Sequence, residues 1–439
     1  VKQSAQSSPA IWWITHEFFP FRGGAGVYVE EVARAAANLP VCSQVVAADY
    51  RHRLNTVQRA AMNDSDSAQP FPVVRLKCSG RLTPAGIWRL AVGIHGLRGP
   101  LGESAPVLMS VGAQMAAFLL HAAGRFPAGR ATCFFHGSEL LRFARHPFWR
   151  SLARRFYSRA AGFAVASQYV RGLATSSGLL PADPRICVAP CAVPSSYRDY
   201  ENPVASERDP ESVQVLTVGR LHPRKGQVQV AQALASLPSG LRRRLVYRLV
   251  GAGDPSYRRR IEAVCRDAGV RSEFLGDIDE RALATVYSEC TIYAQASQTL
   301  PRSVEGFGIS LLEAGFFGCP IAAFRSGGVA EAVREGVSAT LVNEGDVAGL
   351  GAAIETLIAD PDLRRRYGAA GREYARGFAW SETARTLCDF STFRLLGDRS
   401  GCRGWRHPGN RSGRPTNPED PPSPRAAAPK LPAAPHPPV

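Results

Sequence analysis

Short runs rich in β-branched and aromatic residues alternate with stretches of helical periodicity through most of this 439-residue chain. That alternation constrains the fold more than any single motif. In the first half the runs are Ile-Trp-Trp-Ile-Thr (11–15), 44–48, 73–76, 105–110, 132–137 and 162–167. Apolar runs this short, separated by helical patterns, are what a parallel sheet with crossover helices requires. A glycine-rich loop (18–26) follows the first run, and then a helix in which Tyr28, Val32, Ala36 and Leu39 share a face. The rhythm stops at 194–212, a polar run holding three prolines. It resumes with strands at 213–220, 245–253, 272–277, 291–297, 320–324 and 339–343. Two such halves predict an α/β protein of two Rossmann-like parallel-sheet domains facing a central cleft. The expected boundaries are 1–195 for the first domain, 196–212 for a linker and 213–377 for the second domain. A last helix, 378–396, is expected to return to the first domain, and the Pro- and Arg-rich tail 397–439 is expected to be disordered.

The composition fits a globular chain, with 45% hydrophobic and 21% charged residues. The net charge of +16 implies an anionic partner: nucleic acid, an acidic membrane surface or a phosphorylated substrate. The ten cysteines are scattered without a recurring C-x-x-C, so neither a zinc site nor a disulfide framework is expected, and a reducing compartment is. The first nineteen residues hold too short an apolar run for a signal peptide, and no stretch approaches the roughly 18 apolar residues of a spanning helix. The expected location is cytoplasmic, free or at the inner face of a membrane.

The stretch Glu-Gly-Phe-Gly-Ile-Ser-Leu-Leu-Glu-Ala-Gly (305–315) places two acids in an apolar, glycine-rich setting. In one continuous helix Glu305 and Glu313 would lie ~12 Å apart along the axis and ~80° apart around it. Carboxylates that act together on one bond sit within roughly 5–10 Å, which argues against a two-acid hydrolase. Gly306 and Gly308 instead predict a loop at 305–308 and a helix starting near Ile309, whose first N–H groups suit an anion. The acids would then hold hydroxyls at two ends of a long ligand with an anionic middle; the plainer alternative is that Glu313 is an exposed helix residue. Gly-Arg-Leu-His-Pro-Arg-Lys-Gly (219–226) leaves a strand at the carboxyl edge of the second sheet. There Arg220 and Lys225 suit a diphosphate, or form a solvated basic turn. Gly23 and Gly24 permit backbone to approach a phosphate or merely a tight turn, and Arg22 breaks the G-x-G-x-x-G pattern of a nicotinamide enzyme. His136 ends a strand and can reach into the cleft, although a lone histidine is more often structural. In 142–159 arginines interleave with aromatics: Phe148, Leu152 and Phe156 share a face after Pro147, which suits anionic lipid headgroups or a domain helix with solvated arginines.

Taken in order, Phe-Arg-Gly-Gly-Ala-Gly, His-Gly-Ser-Glu, the basic loop, the Glu-x7-Glu stretch and Ser-Gly-Gly-Val-Ala-Glu (326–331) resemble the retaining glycosyltransferases of the GT-B fold, the group 1 or GT4 type, over roughly residues 10–395. The resemblance implies that Glu313 holds the ribose hydroxyls of a nucleotide sugar and Glu305 the hydroxyls of its sugar. It implies that Arg220 and Lys225 neutralise the diphosphate, and that Gly23 and Gly24 bring backbone near the β-phosphate. His136 would stand by the reaction centre, and Gly306, Phe307, Gly308 and Ile309 would offer backbone N–H groups. It further implies domain closure about the linker. No cofactor and no metal are expected: the one D-x-D match, 64–66, reads as a polar loop, and fixed cations with backbone amides can stabilise the leaving diphosphate. Cys191 and Ala192 stand where the family usually has Asn-Gly, and Ala330 where it usually has proline. The implied partners are a nucleotide-sugar donor and a saccharide or lipid-linked acceptor, with an anionic membrane surface as the setting and no nucleic acid. The alternatives are a nucleotide-sugar epimerase on the same fold and a basic nucleotide- or nucleic-acid-binding protein without transfer activity.

Overall fold

The computed structural model describes residues 10–21, 23–97, 105–200 and 212–396. They form two units. One runs to Cys191 and resumes at Trp380, and the other spans Ala192–Ala379.

The first unit is built on a seven-stranded parallel sheet in the order β3-β2-β1-β4-β5-β6-β7. Its strands are β1 (Ala10–Ile14), β2 (Cys42–Ala48), β3 (Val73–Leu76), β4 (Val107–Met109), β5 (Ala131–Phe135), β6 (Gly162–Val165) and β7 (Ile186–Val188). β1 lies between β2 and β4, with Trp13 in register with Val45 on one side and Leu108 on the other. The chain therefore fills the sheet outward from β1 in one direction and then, from β4, in the other. The carboxyl ends of β1 and β4 form the switch point where α/β proteins bind ligands. The crossover helices are α1 (Gly24–Ala36), α2 (Thr56–Ser67), α3 (Pro84–Gly96), α4 (Val111–Ala122), α5 (Ser138–Arg145), α6 (Pro147–Tyr157) and α7 (Gln168–Ser176). In α1 the predicted face is buried at Tyr28, Val32 and Ala36. β7 went unread in the sequence because it is a three-residue, partly exposed edge strand.

The second unit repeats the design with six strands in the order β10-β9-β8-β11-β12-β13. These are β8 (Val213–Val218), β9 (Leu245–Val250), β10 (Arg271–Gly276), β11 (Ile292–Gln295), β12 (Ile321–Arg325) and β13 (Ala339–Asn343). The switch point falls between β8 and β11. The helices are α8 (Gln227–Ala235), α9 (Ser239–Arg242), α10 (Pro255–Ala268), α11 (Glu280–Glu289), α12 (Ile309–Phe316), α13 (Val329–Ala332), α14 (Val347–Ala359) and α15 (Pro361–Arg376). The last helix, α16 (Trp380–Leu396), belongs to the first unit and packs on α1. There Trp380 stands edge-on to Tyr28, with ring centroids 5.3 Å apart, and Thr383 donates to the Pro190 carbonyl at 2.9 Å.

Three expectations change. Asp64 and Asp66 sit in α2, not in a loop: Asn55 and Gln58 form a reciprocal cap that starts the helix, and Asp66 is gripped by Arg75 at 2.6 and 2.8 Å. The apolar face of α6 is shorter than its periodicity suggests. Ala153, Phe156 and Tyr157 are buried, while Phe148 in the first turn is 53% exposed, because only the carboxyl half of the helix meets the core. Finally, residues 195–200 are not linker. They form a 3₁₀ turn in the second unit, where Tyr197 is buried against Phe317. The rest of the expected linker, 201–211, and the tail 397–439 lie outside the described residues.

Candidate functional site

In the second unit the chemistry gathers where β8 and β11 end. β8 runs into Gly219 and Arg220, then a 3₁₀ turn at Pro223–Lys225, with His222 Nδ1 accepting from the Arg224 N–H at 3.1 Å. β11 runs into Ser297 and onward to Glu305. The two loops meet in a polar knot. Glu305 Oε2 accepts from Arg224 Nη1 at 2.6 Å, Lys225 Nζ at 2.7 Å and Ser297 Oγ at 3.1 Å, and from the more distant Gln295 amide at 3.5 Å. Burial alone would raise the Glu305 pKa, but Lys225 and Arg224 outweigh it and hold the carboxyl down at about 2. The Lys225 pKa is nonetheless lowered: burial acts first, and Arg224 repels the ammonium while sharing its only strong anion. Two cations thus share one acid. Oε1 of Glu305 has no hydrogen-bond partner among the described residues, so one face of the carboxylate is open to hydroxyls.

Past Glu305 the chain turns through Gly306–Gly308 and enters α12, with Gly308 in the left-handed region at φ +101°. No side chain caps this helix, and the Leu311 and Leu312 N–H groups turn to the Gly308 carbonyl, so the N–H groups of Ile309 and Ser310 form its positive end. The glycines of Ser-Gly-Gly-Val-Ala-Glu hold that turn. The Gly328 N–H donates to the Glu305 carbonyl at 2.9 Å, and Cβ atoms on Gly327 and Gly328 would lie about 2 Å from the carbonyl oxygens of Glu305 and Gly306, at 2.1 and 2.2 Å. Glu313, in the second turn of α12, is buried rather than exposed. Tyr287 donates to its Oε2 at 2.7 Å, and burial pushes its pKa up to about 7 despite that bond and the nearby Lys225.

The first unit carries a second cluster at its own switch point. His16, just past β1, is buried, with Nδ1 3.3 Å from Ser110 Oγ and Nε2 3.6 Å from Glu17 Oε1. Burial lowers its pKa, Glu17 partly offsets this, and Arg142 adds to it. His136, after β5, is wedged edge-on against Phe134 and Tyr28, and burial with neighbouring His16 lowers its pKa to about 4. Both rings are therefore neutral at ordinary pH. The loop after His136 is tied down by Glu139, which accepts the His136 and Gly137 N–H groups. Gly23 precedes α1, and the Glu17 carboxylate stands 2.7 Å from where its Cβ would be.

The structure thus brings Lys225, Glu305, Gly306, Phe307, Gly308, Ile309 and Glu313 to one sheet edge, and Gly23, Gly24 and His136 to the other unit's edge. Arg224 and not Arg220 joins Lys225 on Glu305; Arg220 is exposed and makes no ion pair among the described residues. Sequence reasoning missed Arg224, His16, Glu17 and Tyr287. His16 ends a strand just as His136 does and was findable, whereas nothing local turns Arg224 rather than Arg220 toward Glu305. Tyr287 lies on a neighbouring helix and carries no local signal.

Comparisons with known proteins point to one family. Residues 200–374 match the model of the glycosyl transferases group 1. Over these residues the chain is similar to the group 1 glycosyltransferases. The chain is 27% identical over 405 residues to the GDP-mannose-dependent alpha-(1-6)-phosphatidylinositol monomannoside mannosyltransferase of Mycobacterium tuberculosis, covering 86% of this chain and 96% of that protein. It is 32% identical over 181 residues to the D-inositol 3-phosphate glycosyltransferase of Xylanimonas cellulosilytica, covering 41% of this chain. That match spans only 42% of the relative's length. Among solved structures, Anabaena HepE in complex with UDP and glucose superposes with a TM-score of 0.66 at 18% identity, over 89% of this chain and all of that one, which establishes the shared GT-B fold.

Proposed function

We propose that this chain is a group 1 glycosyltransferase that moves a hexose from a UDP- or GDP-sugar to an acceptor hydroxyl, with retention at the anomeric carbon and without a metal. The observation that carries the reading is the cluster of Arg224, Lys225 and Glu305 beside the uncapped start of α12, at the switch point of the second sheet. A departing diphosphate needs positive charge fixed in place before it leaves, and the cluster holds its cations rigid through one acid. Arg220, exposed on the same loop, adds a guanidinium for the phosphates. Oε1 of Glu305 accepts from sugar hydroxyls and Glu313 from the ribose. The donor class is supported by the named specificities of the mycobacterial relative and the HepE complex, GDP-mannose and UDP.

The acceptor is a glycolipid or lipid-linked saccharide. The mycobacterial relative is named for a phosphatidylinositol mannoside. On this chain, Phe148 is exposed on α6, and Arg145, Arg150 and Arg154 line a groove of about 600 Å³ beside it.

A thermal-shift screen of UDP, GDP, ADP and their sugars, followed by transfer assays, tests the reading. A ligand that binds only the native state raises apparent stability by RT ln(1 + L/Kd), where L is the free ligand concentration, so tighter ligands give larger shifts. One nucleotide series should shift the melting point, transfer should survive EDTA, and the product should keep the donor's anomeric configuration by NMR. Lys225→Gln should bind the donor more weakly and lose transfer, and wild-type turnover in that variant would sink the assignment.

A further inference from the structure

The amino edge of the second sheet, the end opposite the donor cluster, holds a cavity of about 530 Å³. Its floor is the start of β8 at Val213, the approach to β11 at Cys290 and Thr291, and Pro320 before β12. Four guanidinium groups line it: Arg244, Arg364, Arg365 and Arg372. No carboxylate lines it among the described residues.

Two of these arginines are held in place by helix carboxyl ends. Arg364 Nη1 donates to the carbonyls of Leu357 and Ile358 in the last turn of α14, at 2.6 and 2.7 Å. Arg372 Nη2 donates to the Phe317 carbonyl just past α12, at 3.0 Å, and its guanidinium lies over Gly318. Arg372 uses one of its five N–H groups in this way. Arg365 and Arg244 are exposed, the former paired with Asp362. The helix that supplies three of the four, α15, begins at this wall with Pro361, its N-terminus capped by the Asp360 carboxylate, which accepts the Leu363 N–H at 2.8 Å.

A volume of this size is that of a small-molecule site. Guanidinium forks match the oxygens of phosphate in number and direction. We propose that this cavity is a second anion site that binds a small, soluble phosphorylated compound, separate from the donor cluster at the opposite end of the strands. Neither the family match nor the transfer chemistry accounts for cations here.

The site is tested by isothermal titration of the full chain with inorganic phosphate and with glucose 6-phosphate, in wild type, in Arg244→Gln/Arg365→Gln and in Lys225→Gln. Both replaced arginines of the double variant are exposed, so it should fold, and its circular dichroism checks that. Saturable binding of either compound should survive in Lys225→Gln and weaken by about tenfold or more in the double variant, as expected for lost charge-assisted bonds. Binding that is lost in Lys225→Gln but kept in the double variant would assign the anion to the donor cluster and overturn the proposal. Absence of saturable binding in the wild type at millimolar ligand would overturn it as well.

Discussion

At the scale of single residues, the two glutamates of the Glu-x7-Glu stretch are set apart by what surrounds them. Glu305 is surrounded by donors and ionised at any ordinary pH; Glu313 is buried against one tyrosine hydroxyl, with a pKa of about 7. Removing Glu305 strands Arg224 and Lys225 without their acid. Glu305→Ala should therefore cost about 3–5 kcal/mol in urea denaturation, the range for breaking one side of a buried ion pair. A loss below about 1 kcal/mol, the worth of a surface pair, would show that the cluster contributes little to the fold. For Glu313 the sign is opposite to that of a paired acid. Its ordinary value is 4.5, so between there and about 7 the folded chain keeps a proton that the unfolded chain releases. Stability must then fall as pH rises through that window, by about 3 kcal/mol in all. Glu313→Gln should remove this slope, measured as the difference between the variant's and the wild type's unfolding free energies at about pH 4.5 and about pH 8. Donor affinity should rise through the same window in the wild type only, because an ionised carboxylate accepts ribose hydroxyls best.

At the scale of elements, glycines and strand ends made the site legible, and side chains reaching in from elsewhere did not. The helix begins at Ile309 because Gly306 and Gly308 disfavour it earlier, a local property readable from the sequence. The buried strands, β5, β6 and β11 among them, were legible because such parallel strands are short and apolar nearly throughout. Register is not local: no spacing rule shows that Tyr287 of α11 reaches Glu313, or that Arg224 rather than Arg220 turns toward Glu305. The exposure of Phe148 is likewise a matter of where α6 meets the core, which its periodicity could not reveal. That exposure makes α6 testable as a membrane-facing element. The chain should sediment with phosphatidylserine vesicles and not with phosphatidylcholine vesicles, and salt should weaken the binding. Neutralising Arg145, Arg150 and Arg154 should cost about 1 kcal/mol of binding each, and Phe148→Ala should reduce it further. Equal retention of all variants on both vesicle types would remove α6 from the acceptor side of the proposal.

At the scale of the whole molecule, the chain leaves the first unit at Cys191, builds the second, and returns at Trp380 to finish the first. The returning helix is structural for the unit that it rejoins. Phe390 is 3% exposed, its ring lies against Gly162 at the start of β6, and the Arg185 guanidinium stacks over it at 3.8 Å while donating to its carbonyl at 2.6 Å. Ser391 reaches Thr132 of β5 at 3.3 Å. A truncation of the ring in such a setting leaves a cavity and removes a stacked cation, so Phe390→Ala should cost about 3–5 kcal/mol. The loss should be confined by the chain's division into two cores. Amide exchange should accelerate in β5, β6, β7 and α1, more than two hundred residues earlier in sequence, while β8 to β13 keep their protection. That pattern would show that residues late in the chain stabilise the unit carrying His16 and His136, and that the second unit folds on its own core. Faster exchange throughout β8 to β13 would instead mean that the two units unfold as one cooperative body.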